Sequence, residues 1–177
     1  MFIGHACLLI AAAAGFATEV PAPLRAMLLP TNEVGGAFVQ TKTTPGAASR
    51  TYVTKGTYRI RPGVDFTWRT LDPFETCFTA TRETYVYSNE DECVSRRLAD
   101  LPGFPRFAGV AEGDFSAFFK AFDARYAEEG GRFYVRAKPK VSELSRVLTK
   151  VDAEGVATNW TLRAELTDGT VFSVQFR

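Results

Sequence analysis

Strict alternation of large apolar and polar side chains constrains this chain more than any other feature. Val64, Phe66 and Trp68 alternate with Asp65, Thr67 and Arg69. Successive strand side chains point to opposite faces, so this pattern predicts a half-buried antiparallel strand with one apolar face. The same period governs Gly36 to Thr41, where Phe38 and Gln40 alternate with Val39 and Thr41. It governs a strand from Ser49 to Arg61 carrying Tyr58 and Ile60, then Thr76, Phe78 and Ala80, then Tyr85 and Tyr87. Cys93 to Leu101 reads as a further strand, Phe133 and Val135 restart the alternation, and Val147 to Val151, Asn159 to Leu166 and Thr170 to Phe176 read as the last three. Pro45-Gly46, Pro62-Gly63, Glu154-Gly155 and Asp168-Gly169 are turn pairs, and Gly56 marks a bulge inside its strand.

The period changes to 3.6 once with force. Asp114 is a good N-cap, and Phe115, Phe118, Phe119, Phe122 and Tyr126 follow at the spacing of one helical face. Gly130-Gly131 is read as the stop of this helix. A short helix is predicted from Ala22 to Leu29, ended by Pro30. The fold class is therefore mainly β with α (α+β). Eight to ten antiparallel strands form a curved sheet, an incomplete β-barrel, with the aromatic helix as a lid on its concave face.

The amino terminus reads as an address. The run CLLIAAAAG from Cys7 to Gly15 precedes small residues that end at Ala17, which predicts a signal peptide over 1–17 and one domain over 18–177. The run is shorter than the ~20 residues of a membrane span, and a buried N-terminal helix is the alternative. Removal of the segment takes away His5, the single histidine of the 177-residue chain. Ser-His-Asp and Cys-His catalysis would then have no base. Neither a GxxxxGK loop nor a GxGxxG stretch occurs. No catalytic residue, metal or cofactor is expected, and a net charge of +1 argues against a nucleic-acid partner.

Export would leave Cys77 and Cys93, two thiols in an oxidising compartment, and so a possible disulfide. The strand reading opposes it. The two cysteines fall on strands separated by a third, and two spacings of ~4.8 Å exceed a disulfide's reach unless the middle hairpin twists or bulges.

Several strands resemble those of the outer-membrane lipoprotein carrier (LolA-like) family. Gly36-Ala37-Phe38-Val39-Gln40-Thr41-Lys42 is similar to its F-x-Q-x-K opening, and Gly56-Thr57-Tyr58-Arg59-Ile60-Arg61-Pro62 to its second strand. Phe66-Thr67-Trp68, Tyr85-Val86-Tyr87, the Phe133 to Lys140 strand and the closing Asp168-Gly169 to Phe176 hairpin follow in the family's order. The likeness covers Leu24 to Phe176. It departs at Pro30, at the Arg82-Glu83 turn and over Pro102 to Gly113, as in a divergent branch.

The resemblance implies a monomeric, non-catalytic carrier in the periplasm of a Gram-negative bacterium. Its cargo would be an acylated lipoprotein or another lipid, taken from an inner-membrane donor complex to an outer-membrane acceptor. The expected cavity residues are Phe38, Tyr58, Ile60, Phe66, Trp68, Phe78, Tyr85, Tyr87, Phe115, Phe118, Phe119 and Phe122. Aromatic walls suit an acyl chain, which gains ~0.8 kcal/mol per buried methylene. The alternative is an envelope interaction module in which the same rings simply fill a core.

The resemblance also assigns Arg61 a hydrogen bond to the lid, although alternation turns Arg61 away from a cavity lined by Ile60 unless it sits at the rim. Arg59, Arg61 and Arg69 otherwise read as a solvated sheet face. Glu90 to Glu92 reads as a solvated acidic turn rather than a cation site. Asp65 and Asp72 lie at opposite ends of one strand, too far apart for paired-carboxylate chemistry.

Overall fold

The computed structural model describes residues 32–46, 48–100, 121–156 and 158–177. The predicted signal peptide, the Ala22 to Leu29 helix, and Phe115, Phe118 and Phe119 lie outside them.

Eleven strands form one sheet. They are β1 (Val34–Thr44), β2 (Arg50–Arg61), β3 (Asp65–Asp72), β4 (Thr76–Ala80), β5 (Thr84–Ser88), β6 (Cys93–Arg97), β7 (Phe122–Glu129), β8 (Arg132–Pro139), β9 (Leu148–Val156), β10 (Asn159–Leu166) and β11 (Val171–Phe176). A 3-10 turn, Leu98–Asp100, follows β6, and the one-turn helix α1 (Ser142–Ser145) links β8 to β9. The spatial order is β6-β5-β4-β3-β2-β1-β11-β10-β9-β8-β7. Two meanders are thus joined where β1 pairs with β11, from Phe38 opposite Phe176 to Thr43 opposite Val171. The sheet is antiparallel and open, with β6 and β7 as its edge strands among the described residues.

Turn chemistry explains the hairpins. In the β2–β3 connection Val64 N–H donates to the Arg61 carbonyl at 2.9 Å, with Pro62 next and Gly63 at φ +70°. Proline presets the first central dihedral and glycine supplies the positive second one. In the β10–β11 turn Gly169 has φ +80°, and Asp168 Oδ1 accepts from Thr170 N–H at 2.8 Å.

Two expectations are corrected here. The predicted helix does not run to Tyr126: Phe122 to Glu129 is strand β7, and Gly130-Gly131 is the turn of the β7–β8 hairpin, with φ +57° and +76°. Two consecutive positive-φ residues make the primed turn that matches strand twist. Glu154-Gly155, read as a turn, lies within β9, and the hairpin reverses beyond Val156, which pairs with Asn159.

One face of the sheet carries the core. In β8 and β11 every second residue is buried, and Phe38, Trp68, Phe122 and Phe176 are the largest side chains under 2% or at about 2% exposure.

Candidate functional site

Cross-strand register decides which side chains share a face. Three transverse rows on the inner face hold most of the rings. Val34, Ile60, Phe66, Ala80, Tyr85 and Arg96 stand opposite one another in turn from β1 to β6. The next row is Gly36, Tyr58, Trp68, Phe78, Tyr87 and Val94. The third crosses the join: Gly56, Phe38, Phe176, Trp160, Gly155, Phe133 and Glu128. All eight sequence-predicted cavity residues from Phe38 to Tyr87 lie in these rows. Phe122 lies on the same face, on β7 rather than on a helix.

The rings touch in a chain. Phe38 stacks on Trp68 with centroids 3.6 Å apart, and Trp160 on Phe176 at 4.1 Å. Trp68 and Tyr58 meet Phe176 edge-on at 6.2 and 5.2 Å, Phe133 lies 6.4 Å from Trp160, and Phe78 is 5.7 Å from Tyr85. Offset and edge-on pairs suit the ring quadrupole. Two glycines make room. A Cβ on Gly56 would come within 2.7 Å of the Phe38 ring, and one on Gly155 within 2.6 Å of Trp160 Cβ.

Exposure grades across this face. Phe38, Trp68 and Phe176 are each 1% exposed. Toward the β6 edge four rings are only half-buried, Tyr58, Phe66, Tyr85 and Tyr87, with Ile60 among them, while Phe78 between them is 5% exposed. Thr76 Oγ1, also on the inner face, is buried without a hydrogen-bond partner. Burial pushes the Tyr58 hydroxyl above its ordinary pKa. Tyr126 donates to Glu128 Oε2 at 2.8 Å, and its pKa is pushed up to about 12, chiefly by desolvation and then by that bond.

The lid segment that Arg61 is expected to meet lies outside the described residues, among which Arg61 is bonded to Asp65. Arg61 faces outward, opposite Asp65 at the mouth of the β2–β3 turn, and its guanidinium forks onto that carboxylate, with Nε donating to Oδ1 at 2.9 Å. Alternation sets this orientation, since Ile60 takes the inner position. The Arg61 hydrogen bonds hold the Asp65 carboxyl below the usual range, against the opposing effect of burial.

Cys77 and Cys93 are not bridged to one another: both are free thiols. Cys77 and Cys93 each stand opposite Ser88, one on either side of β5, so the intervening strand keeps them two spacings apart. The acidic segment is a turn, in which Asn89 Oδ1 accepts from Asp91 and Glu92 N–H at 2.9 and 2.8 Å. A hollow of about 230 Å³ lies at the β9–β10 end of the sheet, with Arg132, Glu154, Asn159, Thr161 and Gln175 in its lining. Gly155 and Trp160 of the third aromatic row also line it.

Sequence reasoning missed Phe133, Trp160, Phe172 and Phe176 as members of the face. Their alternation was visible, but only the β1–β11 pairing puts them beside Phe38.

The sheet and its rows define an open antiparallel half-barrel with an aromatic inner face. Among solved structures the chain is similar to a LolA superfamily protein from Nitrosomonas europaea, at 12% identity over 98% of this chain and 91% of that one, with a TM-score of 0.40. It is similar to a DUF1329 family protein from Desulfovibrio piger, at 9% identity over 96% and 90% of the two chains, TM-score 0.42. A third is an outer membrane lipoprotein-sorting protein domain from Vibrio parahaemolyticus, at 8% identity over 82% and 83%, TM-score 0.36. No family model matches the chain, and no curated protein does.

Proposed function

We propose that this protein is a carrier that shelters acyl chains against the inner face of its half-barrel, as part of lipoprotein or lipid transfer in a Gram-negative periplasm. The observation that carries the reading is the graded aromatic face. Tyr58, Phe66, Tyr85 and Tyr87 stay half-buried beside the buried Trp68 and Phe78, while the outer face is largely polar and charged. Half-buried apolar rings on a concave surface are what an acyl chain can finish covering. Phe115, Phe118 and Phe119 belong to this reading as sequence-based candidates for the cover, and no catalytic step is invoked.

A filled-core interaction module is the second reading. Its support is the centre of the face, where Phe38, Trp68 and Phe176 already pack with 1% exposure. Organic extraction of protein purified from its native envelope, followed by mass spectrometry, separates the two. A carrier yields a stoichiometric acyl lipid, or takes one up on incubation. A chain that yields none and takes up none is the module.

A further inference from the structure

Two charged side chains terminate the aromatic rows, one on each edge strand of the described sheet: Arg96 on β6 and Glu128 on β7. They are not equivalent. Glu128 accepts the Tyr126 hydroxyl. The Arg96 side chain is exposed and makes no hydrogen bond or ion pair among the described residues. Three other arginines of this half of the sheet are matched with carboxylates: Arg61 with Asp65, Arg69 with Glu75, Arg97 with Asp100. These three lie on the outer face. Arg96 instead points to the inner side, opposite Tyr85 and in line with Phe66 and Ile60.

We propose that Arg96 holds the anionic headgroup of an amphiphile whose apolar chain lies along these rings. The inference rests on the carrier reading and names its ligand class. A guanidinium presents a rigid fork of donors that fits a carboxylate or a phosphate and stays charged. At the end of a half-buried aromatic row it supplies the one feature an acyl tail cannot use and an anionic head can. The chain would run inward from β6 past Tyr85 and Phe66, and the head would stay at the solvent-facing edge.

Intrinsic-fluorescence titration of the full chain with palmitate, palmitoyl lysophosphatidic acid and monopalmitoylglycerol tests this. These probes share a tail and differ in a carboxylate, a phosphate or a neutral head. The wild type should bind at least one anionic probe about tenfold tighter than the neutral one, and the preferred probe identifies the head. Arg96→Gln should erase that preference and leave the neutral affinity unchanged, while Arg96→Lys, keeping the charge without the fork, should fall between. Equal affinity of the wild type for all three probes overturns the inference. So does an Arg96→Gln variant with unchanged affinities, which would mark Arg96 as a charge that only protects the edge from strand pairing, or one that loses all three equally. Failure of every probe to bind would overturn the carrier reading itself, and this inference with it.

Discussion

At the scale of single residues, the Arg61–Asp65 pair fixes the β2–β3 turn from outside. The Asp65 side chain is 8% exposed, so its charge depends on the Arg61 fork. Its folded-state pKa lies below the unfolded value, which stabilises the fold at neutral pH. That contribution is lost as pH falls through the lowered folded value. Asp65→Asn should therefore flatten the acid limb of a urea-midpoint against pH curve, and Arg61→Leu should weaken the fold at neutral pH by leaving the carboxylate unpaired. Acid limbs that superimpose for wild type and Asp65→Asn would contradict this. The thiols give a second check. Cys93 is exposed and Cys77 partly so. Both should alkylate in folded, unreduced protein, Cys93 faster, with no change after a reductant.

At the scale of elements, alternation made the inner face legible from Phe38 to Tyr87. Every one of those residues needed only the period of its own strand. The second half was harder for two physical reasons. Phe122 and Tyr126 are four apart, a spacing that fits both a 3.6-residue and a 2-residue period, so a helical stripe beginning at Phe115 ran on through a strand. Gly130-Gly131 serves equally as a helix stop and as a primed hairpin turn, and only pairing of Glu129 with Arg132 decides. Trp160 and Phe176 required a contact between the first and last strands, which no local pattern contains. The same long-range packing fixes Gly56. Its missing side chain is where the Phe38 ring lies against the β2–β3 ladder. Gly56→Ala should cost about 3 kcal/mol in urea unfolding, since neither a backbone carbonyl nor a stacked ring yields easily. A loss under about 0.5 kcal/mol would show the ring has room to move.

For the whole molecule, the central claim is that an apolar ligand occupies the inner face rather than that rings merely fill it. Both tryptophans of the chain, Trp68 and Trp160, stand in the aromatic rows of that face. Their emission therefore reports on that face. A bromine-labelled long-chain fatty acid should quench it saturably in folded protein, and an unlabelled acid of equal length should displace the label and restore the signal. Emission that the brominated chain leaves unchanged, at concentrations where the protein stays folded, would contradict the account.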